Sequence, residues 1–168
     1  MIVGIDLSGP ANAADTALVW FAQRQGRLDY LGSAIGASDA DIVRIVTNLE
    51  HPVVGLDAPL SYNDGGGDRP GDADLRRVIV ATGMRSGSVM TPTLTRMAYL
   101  TLRGMAVARA LEAESVSRRS LVEVHPGAAF ALRGAPLEAV LDYKRVASSR
   151  NRLLRWLSPA GVHGVPMQ

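Results

Sequence analysis

Two aspartates in this chain each follow directly on a short apolar run. Met1–Ile5 stops at Asp6, ahead of Ser8-Gly9-Pro10, and Val53–Leu56 stops at Asp57, ahead of Ala58-Pro59-Leu60-Ser61. The runs echo each other as Val3-Gly4-Ile5-Asp6 and Val54-Gly55-Leu56-Asp57. Runs this short and this apolar suit strands buried on both faces. In open α/β sheets, ligands gather beyond the carboxyl ends of parallel strands. Two aspartates placed there on neighbouring strands bring like charges together in a partly desolvated crevice. Such a pair raises a pKa or recruits a cation, and a divalent metal is the usual resolution. The plainer alternative is that each aspartate closes the turn after its strand, as aspartate routinely does.

A third acid, Glu123, lies inside Leu121-Val122-Glu123-Val124-His125-Pro126. Strand alternation puts Leu121, Glu123 and His125 on one face and the two valines on the other. A carboxylate in an apolar strand is costly unless it is paired or metal-bound. An edge strand with a solvated face, or a partner among the arginines, accounts for it equally well. His125 alone reads more readily as a capping or hydrogen-bonded histidine than as a ligand. Lys144 is the sole lysine among 18 basic residues. A compact point charge there suits a phosphate or carboxylate, although a solvated helix position explains it too. Arg150, Arg152 and Arg155 either extend a basic edge or solvate a helix face.

Other chemistries lack their motifs. There is no Gly-x-x-x-x-Gly-Lys-Ser/Thr loop, no dinucleotide-binding glycine fingerprint after the first strand, and no Gly-x-Ser-x-Gly elbow. Gly65-Gly66-Gly67 sits in a loop without a strand-to-helix context. Asp64, Asp68, Asp72 and Asp74 do not fit an EF-hand spacing. With no cysteine, disulfides, a thiol nucleophile and cysteine-based metal sites are excluded. The net charge of +2 is too small to predict nucleic-acid binding without a concentrated basic patch. The N-terminus has neither a basic leader nor a long apolar stretch, so a soluble cytoplasmic protein is expected.

The elements that must position these residues are legible in outline. The 168 residues suit one ordinary domain, and 47% hydrophobic content can fill its core. Met1–Ile5, Thr16–Phe21 and Arg27–Ile35 read as three successive strands, the last two a hairpin across Gln-Gly. Ser38 starts a helix with a capping box, and Ile42, Ile45, Val46 and Leu49 form its apolar stripe. Val53–Leu56 is a strand, 61–71 a loop, and helical patterning resumes at Asp72 with Gly83 as C-cap. Thr91-Pro92 opens the longest helix, with Leu94, Met97, Ala98, Met105, Ala108 and Leu111 on one side. Leu121–Val124 is a strand ended by His125-Pro126-Gly127. Short helices follow at Leu137–Arg145 and roughly Ser149–Leu157. This order predicts α/β, a mixed sheet with at least two parallel crossovers.

Val-Gly-Ile-Asp6-Leu-Ser-Gly and Val-Gly-Leu-Asp57-Ala-Pro-Leu-Ser resemble the strand ends of the domain of unknown function 429 family, whose members are predicted ribonuclease H-like nucleases. Asp74-Leu75-Arg76-Arg77, Leu100-Thr101-Leu102-Arg103-Gly104 and Val122-Glu123-Val124-His125-Pro126-Gly127-Ala128 extend the match over most of residues 1–145. The resemblance implies a ribonuclease H-like fold, three antiparallel strands leading into parallel ones and flanked by helices. It implies an acidic site at Asp6, Asp57 and Glu123. Relatives usually continue into a further helix with an Asp-Ala-rich segment, where this chain ends at Val165-Pro166-Met167-Gln168. Either the tail of the expected single domain, 1–168, has diverged or the domain is short at its C-terminus, and the full carboxylate set is in question.

The leading expectation is a nuclease that hydrolyses phosphodiester bonds of DNA or RNA with two Mg2+ or Mn2+ ions. Asp6 would bridge the ions, Asp57 would be the second ligand, and Glu123 a ligand or water-orienting base. Ser8, Arg69, Arg76, Arg85, Arg103, His125 and Lys144 would contact the substrate, the cations holding its backbone. No membrane partner is expected, and the apolar content leaves a homodimer open. Two other readings stay open: a catalytically degenerate scaffold or binding protein, and a nucleotide-binding relative of actin-like ATPases and sugar kinases.

Overall fold

A computed structural model describes residues 1–114 and 120–167; Gln168, the last residue of the C-terminal segment, lies outside them. Its strands are β1 (Ile2–Asp6), β2 (Ala17–Arg24), β3 (Arg27–Ile35), β4 (Val53–Leu56), β5 (Ser120–Glu123) and β6 (Val162–His163). Its helices are α1 (Asp39–Thr47), α2 (Pro70–Ala81), α3 (Arg96–Ala113), α4 (Pro126–Leu132), α5 (Leu137–Asp142) and α6 (Ala147–Leu157). The strands form a six-stranded sheet in the order β5-β4-β1-β2-β3-β6. β1, β2 and β3 run antiparallel in succession, β4 pairs parallel with β1, β5 with β4, and β6 with β3. The expected mixed α/β sheet is present.

Local chemistry explains the elements nearest the two aspartates. Gln25 and Gly26 both take positive φ, 48° and 81°, which is the two-residue turn whose twist matches a hairpin. Ser38 caps α1 by accepting the Asp41 N–H at 3.1 Å, and Asp41 returns the favour to the Ser38 N–H at 3.2 Å. Behind that cap, Ile42 and Val46 are fully buried against the sheet.

The interior has two parts. Val3, Ile5, Val54 and Leu56 of the sheet, with Leu7 just past β1, pack with Ile42 and Val46 of α1 and with Val107 and Leu111 of α3. A second cluster joins Ile79 of α2, Ala128 of α4, Ala139 and Val140 of α5, and Leu153 of α6. Phe130 anchors this second cluster, edge-on to Tyr143 at 6.0 Å and to Trp156 at 6.1 Å. No helix among the described residues is long and apolar enough to cross a membrane.

Several boundaries differ from the sequence reading. α3 starts at Arg96, leaving Leu94 outside the helix and 51% exposed. Its buried face includes Thr101 and Gly104, which an apolar pattern passes over. α2 begins at Pro70, since proline fits the first helical position, where its missing N–H is not needed. The same rule explains α4: Pro126 opens a helix capped by His125 where the sequence reading placed only a stop. The short β6 and the 3₁₀ turn at Pro10–Asp15 carry no pattern long enough to read.

Gly104 shows how closely α3 approaches the segment after β4. A Cβ there would lie 2.8 Å from the Pro59 carbonyl oxygen and 2.9 Å from the Ala58 Cβ. Helix propensity alone favours alanine over glycine by about 1 kcal/mol. Overpacking against backbone costs about 1–3 kcal/mol and prevails here. Gly104→Ala is therefore expected to lower the urea midpoint; a raised midpoint would show that α3 moves away freely.

Candidate active site at the strand ends

Parallel pairing of β1 with β4 places Gly4 opposite Gly55 and Ile5 opposite Leu56. The Asp57 N–H donates to the Ile5 carbonyl at 2.9 Å, carrying the ladder one step past β4. Asp6 and Asp57 thus stand side by side where the two strands end. Alternation turns them away from the buried Ile5 and Leu56, onto the face that α1 and α3 leave uncovered. Both line a cleft of about 490 Å3 between this face and α6. Beneath them Gly4 adds no side chain to the cleft floor. At Gly55 the space is taken by Val124, whose Cγ1 would lie 3.1 Å from an added Cβ.

From the acids the cleft runs across the sheet past Val19 to Ser33 and Tyr30 of β3. Leu153, Leu154 and Leu157 of α6 form the opposite wall, with Arg150 at the start of the same helix. The Tyr30 hydroxyl and the Ser33 hydroxyl hydrogen-bond to each other at 2.8 Å. The cleft is therefore acidic at one end, apolar in the middle and hydroxyl-bearing at the other.

Burial, and next the charge of Asp6, push the Asp57 carboxyl above its ordinary range, while Lys144 and His125 pull it back. Tyr143 is pushed up to about 12 by burial and then by the charges of Asp57 and Asp6, so it stays a phenol and a donor. The Lys144 ammonium stands 6.0 Å from the Tyr143 ring centroid. Arg150 donates to the Tyr143 carbonyl at 3.1 Å. The structure thus brings together Asp6, Asp57 and Lys144, and adds Tyr143 and Arg150.

Glu123 lies elsewhere. It is the register partner of Leu56 on the edge strand β5, so alternation turns it away from the face that carries Asp57. Both its oxygens accept from Arg69, and Oε2 also accepts the Leu60 N–H at 2.9 Å. Arg69 donates as well to both oxygens of Asp72, which is only 5% exposed. Arg76 pairs with Asp68, which also accepts from Thr91. Buried Arg103 donates to Asp39, to the Ser8 carbonyl at 2.6 Å and to the Thr16 hydroxyl at 2.9 Å. Ser8 itself turns its hydroxyl to the Asn12 carbonyl and Thr16. His125 accepts the Ala128 N–H at Nδ1 and, at Nε2, lies 2.7 Å from the Ser88 carbonyl, satisfying both nitrogens. Arg85 is exposed beside a 3₁₀ turn.

Among the described residues, no cluster of three or more His, Cys, Asp or Glu side chains is placed to hold a metal ion. The chemistry of the Asp6–Asp57 pair nevertheless fits one hard divalent cation. Mg2+ is commonly held by one or two carboxylates and takes the rest of its shell from water and substrate phosphate. Burial, and after it the charge of Asp6, disfavours the Asp57 carboxylate, and a bound cation offsets both.

Arg69→Ala leaves the buried Asp72 carboxylate and Glu123 without their cation and is expected to cost about 3 kcal/mol. Denaturant unfolding at neutral pH checks this, and a loss below 1 kcal/mol would show that the network is solvated. The Arg76 and Thr91 hydrogen bonds hold Asp68 down from 3.8 to about 2. A depressed carboxylate stabilises above its unfolded pKa and loses that contribution as pH falls through its folded value. Asp68→Asn is thus expected to lower the melting temperature at neutral pH, with the two melting curves converging between about 4 and about 2. A constant offset over that window would contradict the pairing.

A family model described as Protein of unknown function (DUF429) matches residues 4–167. No curated protein and no solved structure matches the chain.

Proposed function

The chain belongs to the DUF429 family, and we propose that it is a divalent-metal-dependent hydrolase of phosphodiester bonds in DNA or RNA, built on a ribonuclease H-like sheet. The observation that carries this reading is the placement of Asp6 and Asp57 side by side at parallel strand ends, facing a cleft. The sheet order supports it, since three antiparallel strands continue through β1 into parallel β4 and β5. Asp6 and Asp57 are the residues that would hold Mg2+ or Mn2+. A divalent ion supplies Lewis-acid stabilisation of phosphoryl charge and a water acidic enough to act as nucleophile. Tyr143, kept protonated, donates a hydrogen bond toward a phosphate oxygen. Lys144 and Arg150 add the positive charge that a phosphodiester needs near two carboxylates. Glu123 acts in this reading as a brace, fixing the Leu60 N–H and Arg69 and so the segment that leaves Asp57.

The internal pairing of Arg69, Arg76 and Arg103 favours a second reading, a binding protein without catalysis on the same scaffold. Those side chains are held by their own carboxylates rather than offered to a nucleic-acid backbone.

One experiment separates the two. Mn2+ is titrated calorimetrically into the parent and into Asp6→Asn and Asp57→Asn, and single-stranded DNA and RNA are then assayed with Mg2+, Mn2+ and EDTA. Hydrolysis needs clear binding in the parent, loss in both variants, and a fall in cleavage of about a hundredfold or more. A parent that binds no Mn2+ at millimolar concentration sinks the hydrolase and leaves the binding protein.

A further inference from the structure

The cleft is larger than a metal centre requires, and its chemistry changes along its length. Its volume of about 490 Å3 falls within the roughly 300–1,000 Å3 of small-molecule sites. Beyond the acids its walls are Val19 on the sheet side and Leu153, Leu154 and Leu157 on α6. At the far end the Tyr30 and Ser33 hydroxyls, bonded to each other, are the polar groups able to trade that bond for one to a ligand. A ligand complementary to this sequence of surfaces carries phosphate at one end. It then needs a flat, weakly polar body that slides between sheet and helix, and a hydrogen-bonding edge at its far end.

We infer that the cleft seats one nucleoside unit of the substrate, its phosphate toward Asp6 and Asp57, its base between Val19 and Leu154, and the base's polar edge at Tyr30 and Ser33. The inference rests on the phosphodiester reading for the reacting group; the seat for the base needs no metal. A base can enter such a slot only outside a double-helical stack, and extruding it from a duplex costs a few kcal/mol. The substrate class that fits is therefore single-stranded nucleic acid or a frayed end, rather than an intact duplex. The arginines held in internal pairs agree, because the site then recognises a base and one phosphate and has no need of a long basic track.

The test uses the full chain with adenosine and uridine as probes, titrated calorimetrically in EDTA and again in Mg2+. Binding is expected in both buffers. Tyr30→Phe, which removes one hydroxyl, should weaken it about fivefold. Leu154→Arg, which places a charge in the slot, should weaken it tenfold or more with an unchanged melting temperature. Where cleavage is measurable, Leu154→Arg should lower it on single strands, and duplex should be the poorer substrate. Absence of nucleoside binding at millimolar concentration, or binding indifferent to both substitutions, overturns the seat. Should Leu154→Arg fail to fold, Tyr30→Phe decides. Nucleoside binding without metal-dependent cleavage keeps the seat and removes the hydrolase. Metal-dependent cleavage of duplex with no nucleoside binding does the reverse.

Discussion

Parallel, in-register pairing of β1 with β4 is the constraint on which the rest depends. It sets Gly4 beside Gly55, Ile5 beside Leu56 and, one step on, Asp6 beside Asp57. Side chains alternate with a period of two, so a slip of one residue would turn one aspartate into the core and its neighbouring aliphatic into the cleft. The burial of Ile5 and Leu56 makes that slip expensive. The same hydrophobic term that holds the sheet together therefore also holds two like charges side by side. The charge repulsion that results is local, while the force imposing it is spread across the whole first core.

Each aspartate leaves its strand into a segment pinned by an arginine. After Asp6, Arg103 reaches from α3 to the Ser8 carbonyl, the Thr16 hydroxyl and Asp39 at the start of α1. After Asp57, Glu123 takes the Leu60 N–H and is itself held by Arg69, which also ties down Asp72 in the first turn of α2. A buried charge is tolerated only with a partner, and a bidentate guanidinium offers that partner in fixed geometry. These arginines make rigid exits for two strands that end in mutual repulsion. Their role is positional, since each guanidinium is committed to partners inside the chain.

How much of this was legible follows from which residues carry a pattern. The strand ends at Asp6 and Asp57 were legible because a short apolar run that breaks on an acid is a local signal. The capping box at Ser38 and the hairpin at Gln25-Gly26 were legible for the same reason. Glu123 was placed correctly on a strand, yet its partner Arg69 is far away in sequence and no spacing rule connects them. α4 was hidden because Pro126-Gly127 reads as a stop in isolation and as a helix start once His125 caps it. Tyr143 stood beside a lysine that composition had singled out, so a signal existed. Its relation to the aspartates is set by the packing of Phe130 against it, which only the tertiary structure supplies. Gly4 and Gly55 were visible in the echoed motif, but their meaning depends on being neighbours across a sheet.

The site lies on a seam between two cores, and that placement has a consequence for its chemistry. The sheet with α1 and α3 contributes the carboxylates; the cluster of α2, α4, α5 and α6 contributes Tyr143, Lys144, Arg150 and the leucines of α6. Neither half is electrostatically balanced alone. On the sheet the two acids repel, and Lys144 is among the charges that draw the Asp57 carboxyl back toward its usual range. Docking the second core against the first is favoured in part by that attraction, and it creates the cleft by holding α6 opposite a sheet face floored by Gly4. A side chain at Gly4 would narrow that space, and a helix without Leu154 and Leu157 would leave its wall open to water. The acidity of the strand ends and the apolar slot beside them are thus two results of one arrangement: a twisted sheet whose first face is filled by helices and whose second face is only bridged.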